Sequence, residues 1–229
     1  MFLSDTKIVN EAPEHYINIV KKACLANKVI FIHIPKNAGT SIKKALRLNK
    51  SPCHLFASEI KHVIGPKEFG KSARVCVIRN PWDRLVSIYC QQRTRRKTLF
   101  FEGIKGSGGL VPGFEDGVPT FEDFILKYFP KTWWQGRALS QTKYIQHSDK
   151  DKIIVNNILR YEQLDEEWKK LSKELCLNVS SLNRINKSKD KKNNYREFYR
   201  AGKKGFNHKL IDKASELVEI DAKNFGYKF

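Results

Sequence analysis

The chain has 229 residues, 41 % hydrophobic and 11 % aromatic, and its 43 Lys and Arg against 24 Asp and Glu give a formal charge of +19. That composition excludes a disordered chain and suits one domain with a real core. The charge excess points to a polyanionic partner such as nucleic acid, acidic glycan, anionic lipid or a multiply phosphorylated cofactor, with general solubility as the plainer account.

The predicted elements alternate between strand and helix, the pattern of an α/β domain with a parallel sheet. Val29 to Ile34 is an apolar, β-branched run that reads as a strand covered on both faces. The turn Pro35 to Gly39 follows, then a helix from about Thr40 to Leu48. Val75 to Ile78 is a second strand and ends in Arg79. Asn80 is suited to cap, and Pro81 to begin, a helix running to about Cys90. A third strand is expected within Lys152 to Tyr161, and an amphipathic helix over Leu164 to Leu175. The last helix, His208 to Phe225, sets Leu210, Ala214, Leu217 and Val218 on one stripe expected to pack on the sheet.

Two stretches interrupt the pattern. Residues 91–119 open with Arg93, Arg95, Arg96 and Lys97 and continue through six glycines, which reads as a functional or disordered loop. Residues 184–206 are dense in Lys and Arg and read either as a solvated loop or as an anion-binding flap. Residues 1–27 read as an N-terminal extension of a single domain. Five cysteines without a C-x-x-C pair argue against a disulfide framework or zinc site and suit reduced thiols in a cytoplasmic protein. No metal-ligand spacing, bilayer-spanning stretch or signal-peptide pattern is evident.

Two segments carry the chemistry. In FIHIPKNAGTSI a strand, a tight turn and a helix start bring main-chain N–H groups and a helix dipole to one spot, a cradle for phosphate. Gly39 permits close approach, Lys36 adds a full charge, and Thr40 and Ser41 add hydroxyls. An ordinary turn with a Ser or Thr N-cap is the alternative. The order differs from G-x-x-x-x-G-K-[ST], and no strand ends in a clear magnesium-holding Asp, which disfavours a kinase. In VCVIRNPWDRLVSIY, Arg79 at a strand end and Ser87 eight residues on suit a second phosphate.

Together these segments resemble the sulfotransferases that use 3′-phosphoadenosine-5′-phosphosulfate (PAPS), in particular the carbohydrate-type branch. The similarity extends through Gln141 to Ile145, Leu159 to Leu164, Leu182 to Lys189 and Asp221 to Tyr227. The resemblance implies a P-loop-type three-layer α/β domain, with a central parallel sheet flanked by helices. It also implies sulfuryl transfer from PAPS to a hydroxyl or amine of a glycan or other acceptor, without a metal and without nucleic acid as partner. By position, Lys36, Asn37, Ala38, Gly39, Thr40 and Ser41 would hold the 5′-phosphosulfate, and Arg79 and Ser87 the 3′-phosphate. Tyr161 would lie by the adenine, and Lys187 and Ser188 would close over the nucleotide. Lys36 would also stabilise the leaving oxygen.

A base is required, and histidine suits that task. His54, 25 residues before Arg79, fits the family's upstream base better than His62, 17 before it. His33, inside the first strand, reads as structural, and Glu59 is a lesser candidate base. Trp133 and Trp134 either stack on a sugar face or belong to the core. The competing readings are a P-loop kinase of a small metabolite and a non-catalytic polyanion-binding module.

Overall fold

The structure is a computed structural model that describes residues 14–25, 28–48, 54–102, 119–129, 139–148, 151–178, 181–182, 194–202 and 205–229. In chain order the regular elements are α1 (Glu14–Leu25), β1 (Val29–Ile32), α2 (Gly39–Ala45), α3 (Ala57–Ile64), α4 (Pro66–Lys71), β2 (Ala73–Ile78) and α5 (Pro81–Glu102). They continue with α6 (Phe121–Asp123), which passes into a π-helical turn (Phe124–Tyr128), then α7 (Gln141–Ile145), β3 (Asn157–Arg160), α8 (Leu164–Glu174) and α9 (His208–Phe225). Short 3-10 segments cover Tyr161–Gln163 and Tyr195–Tyr199. The chain divides into two compact units, Met1–Arg79 with Gln141–Ile185, and Asn80–Ser140 with Asn186–Phe229.

The first unit is mixed α/β, with a three-stranded parallel sheet in the order β1-β2-β3 flanked by helices. Val29 pairs with Ala73 and Ile32 with Cys76; Val75 pairs with Asn157 and Ile78 with Arg160. Side chains alternate across a strand. Val29, Phe31, Val75, Val77 and Leu159 therefore share one face. They pack with Ile42 of α2, with Leu46 just after it, and with Trp168 and Leu171 of α8. The alternate residues Ile30, Ile32, Cys76 and Ile78 are buried too, so the central strands are apolar throughout, as expected for a parallel sheet. Each such side chain contributes about 1.5–3 kcal/mol through burial. Helix α1 packs against β1 and α3.

The second unit has an aromatic core. Trp82 and Tyr89 of α5, Phe121, Phe124, Phe129 and Tyr199 pack with Leu210, Ala214 and Val218 of α9. Several of the rings meet edge to face; Phe121 and Tyr199 lie 5.0 Å apart at 78°. The Tyr199 hydroxyl donates to the Trp82 carbonyl at 3.1 Å. The α9 stripe packs on α5 and the π turn. The aromatic residues of 121–129 and 195–199 supply an apolar face that the periodicity of α9 alone does not identify.

Other boundaries also differ from expectation. Strand β1 stops at Ile32 because the chain turns at once, the Ile34 N–H donating to the Ile32 carbonyl at 3.2 Å. Helix α5 starts as expected, with Asn80 Oδ1 accepting from the N–H of Trp82 and Asp83, both at 3.1 Å. It then continues to Glu102, well beyond Cys90. Residues 91–102 are therefore helix and not loop. Gln, Arg and Lys are good helix formers, and no Gly or Pro interrupts them before Gly103. The remainder of the glycine-rich stretch, Trp133 and Trp134 lie outside the described residues. In the basic stretch, Tyr195–Tyr199 is anchored by buried Tyr199, and Arg200 bridges to Phe206. Those residues are not a solvated loop.

Candidate active site

The turn between β1 and α2 owes its shape to two residues with left-handed backbone, Lys36 at φ 73° and Ala38 at φ 57°. Alternating such residues makes successive N–H groups converge into a concavity suited to anions. Ala38 occupies the N-cap position of α2 and offers no side-chain cap. Its carbonyl accepts from Ser41 N–H at 2.9 Å and Ile42 N–H at 3.3 Å. The alternative of a plain Ser or Thr N-cap is thereby removed. Among the described residues, the amides of Ala38, Gly39 and Thr40 donate to no protein acceptor. Thr40 is exposed, Lys36 half-buried and Ser41 buried.

Asn37 behaves differently from its neighbours. Its side chain is 1 % exposed and faces inward. Nδ2 donates to the Val77 carbonyl at 2.7 Å and to Gln141 Oε1 at 2.6 Å. Its Oδ1 is buried without a partner. Only the main chain of Asn37 thus faces the concavity.

Gly39 has a role that the motif alone does not disclose. A Cβ on Gly39 would sit 1.9 Å from Cδ2 and Nε2 of His33. The glycine therefore admits a histidine ring against the turn. Burial drives the His33 ring's pKa from its ordinary value of 6.5 down to about 3, with His54 and Lys43 adding to the effect. His33 is neutral at physiological pH, and its Nδ1 is buried without a partner. The rings of His33 and His54 lie 4.5 Å apart. His54 itself has φ 71° and directs Nδ1 at the His33 carbonyl, 3.2 Å away. A carbonyl can only accept, so Nδ1 is the protonated nitrogen of neutral His54 and Nε2 carries the lone pair.

Arg79 directly follows the central strand and is 3 % exposed. Its Nη1 donates to the Lys36 carbonyl at 3.0 Å. Its guanidinium lies over the ring of Tyr161, 4.2 Å from the centroid. Its main chain is held by Gln141, whose Oε1 accepts from Arg79 N–H and whose Nε2 donates to the Arg79 carbonyl, each at 2.9 Å. The structure therefore brings Lys36, Asn37, Arg79 and Tyr161 together, with His33 against Gly39 and His54 against His33. Gln141 joins them, although in the sequence it reads only as the first residue of a Q-x-x-Y-I run.

Ser87 is buried in α5, in the second unit. Glu59 caps α3, its Oε2 accepting from Phe56 N–H at 2.7 Å. His62 is exposed on α3. Lys187 and Ser188 lie outside the described residues. Among the described residues no group of His, Cys, Asp and Glu could hold a metal ion, no helix is long and apolar enough to cross a membrane, and Cys24, Cys76, Cys90 and Cys176 form no disulfide.

Comparisons with curated proteins and with solved structures return no match. The model of the sulfotransferase family matches residues 23–228, a span containing every element from β1 to α9. The chain therefore belongs to the sulfotransferase family, and sulfuryl transfer is the chemistry of that family.

Proposed function

We propose that the chain is a PAPS-dependent sulfotransferase acting on a hydroxyl or amine of a carbohydrate or other acceptor, in the cytoplasm and without a metal. The observation that carries this reading is the bond from Arg79 to the Lys36 carbonyl, which brings the two phosphate-type motifs to one spot. The main-chain amides of Ala38, Gly39 and Thr40, free of protein partners among the described residues, suit an anionic phosphosulfate. The family match runs through both units, which supports treating 1–229 as one P-loop-type domain.

When bound, PAPS supplies the sulfuryl group and leaves as adenosine 3′,5′-bisphosphate. The turn Lys36 to Ser41 holds the 5′ end through main-chain N–H groups and the Lys36 ammonium. Lys36 also offsets negative charge on the leaving oxygen, an electrostatic contribution. Arg79 holds the 3′-phosphate, with Ser87 in the role the motif gives it. Tyr161 backs the Arg79 guanidinium and borders the adenine, and Lys187 and Ser188 keep the covering role the resemblance implies. His54 takes the acceptor proton at Nε2, because Nδ1 is engaged with the His33 carbonyl.

The test is a magnesium-free assay with labelled PAPS and a panel of acceptors. Acceptor-dependent release of adenosine 3′,5′-bisphosphate is expected. Lys36→Ala and Arg79→Ala should both lose nucleotide binding. Unchanged binding in both variants would overturn the reading.

A further inference from the structure

We propose that Gln141 is a positioning residue that fixes the two anion-binding elements relative to each other. The inference rests on the nucleotide-binding reading above and extends it to a residue outside both motifs. Gln141 is 0 % exposed. Its Oε1 accepts from Asn37 Nδ2 in the β1–α2 turn and from the main-chain N–H of Arg79, and its Nε2 returns a bond to the Arg79 carbonyl. Asn37 Nδ2 in turn reaches the Val77 carbonyl.

The reason lies in strand geometry. Residues two apart on a strand present their main-chain polar groups to the same side. Strand β1 ends at Ile32, opposite Cys76, so β1 supplies no strand residue to pair with Val77 and Arg79. Two side-chain amides take over, Asn37 at Val77 and Gln141 at Arg79. One amide thus sets the main chain from which the Arg79 side chain projects, and also the side chain around which the turn folds. Both bond directions are needed, because Oε1 must accept and Nε2 must donate. Leucine provides neither. A protonated Glu provides both, and an ionised Glu loses the donor to the Arg79 carbonyl.

The experiment measures binding of adenosine 3′,5′-bisphosphate to the full chain by calorimetry from pH 5 to 8, for wild type, Gln141→Leu and Gln141→Glu. Amide hydrogen exchange at Arg79, referred to Cys76 within β2, is read in parallel. Gln141→Leu should bind roughly ten- to a hundredfold more weakly at every pH and raise Arg79 exchange at least about tenfold over Cys76. Gln141→Glu should approach wild type at pH 5 and fall away toward pH 8. Wild-type affinity in Gln141→Leu, with Arg79 as protected as before, would overturn the proposal. A loss confined to Gln141→Glu and equal at all pH values would assign the effect to added charge and overturn it as well. If wild type itself does not bind the nucleotide, the functional reading fails, and the exchange ratio at Arg79 alone then decides whether Gln141 holds that strand end.

Discussion

The guanidinium carbon of Arg79 lies over the ring of Tyr161, 4.2 Å from its centroid, while Nη1 reaches the Lys36 carbonyl. Stacking needs a planar cation over a π face, and the bond to Lys36 needs a fixed donor direction. Arg79→Lys keeps the charge and loses both features, so it should weaken adenosine 3′,5′-bisphosphate binding by about 1.5–3 kcal/mol. Tyr161→Phe should bind as wild type, whereas Tyr161→Leu should cost about 1 kcal/mol. Calorimetric titration checks all three, and equal affinity in Tyr161→Leu and wild type would show that the ring does not support the arginine.

Gly39 and His33 occupy space that allows only one of them a side chain at the contact. Gly39→Ala puts a Cβ 1.9 Å from the imidazole and should destabilise the protein by about 1–3 kcal/mol. In a His33→Ala background the same change should be nearly neutral, giving a coupling of at least about 1 kcal/mol in a double-mutant cycle. Additive effects in urea denaturation would refute the contact.

Burial of His33 also makes stability depend on pH. Its folded pKa, about 3, lies below the unfolded value of 6.5. Between these values the unfolded chain binds the extra proton, so stability is full above about pH 6.5 and falls as pH drops toward 3. From pH 7 to pH 5 this one group should remove about 2 kcal/mol. A His33→Gln variant should lose that much less over the same interval in urea titrations. Parallel pH profiles for the two proteins would contradict the assignment.

The inward side chain of Asn37 satisfies a buried carbonyl. Asn37→Leu, of similar size, would leave Val77 O without its donor and should cost about 1–3 kcal/mol, read as a lowered Tm. An unchanged Tm would mean that Val77 is satisfied in another way.

Both anion-binding motifs are legible in the sequence because each is local: an apolar strand, a turn and a helix start within a dozen residues. The three parallel strands and the start of α5 follow from the same short-range signals. The far end of α5 is less legible, because the run after Cys90 is polar and basic and imitates a loop, although its residues favour helix. The links that assemble the site are long-range. Asn37 and Gln141 are 104 residues apart, and His33 and His54 are 21 apart. No periodicity or spacing encodes an amide that finishes another strand's ladder. Glu59 illustrates the converse, since its proximity to the motifs suggests chemistry while three-residue spacing from Phe56 makes it a cap.

The chain leaves the first unit after Arg79 and returns to it at Gln141, and those two residues are directly bonded. The excursion between them is thus clasped at its base. Closing a longer loop costs only about 0.6 kcal/mol for each doubling of its length. Segments spliced into that excursion can accordingly grow or shrink at little thermodynamic cost to the clasp, and the end of β2 stays fastened while they do.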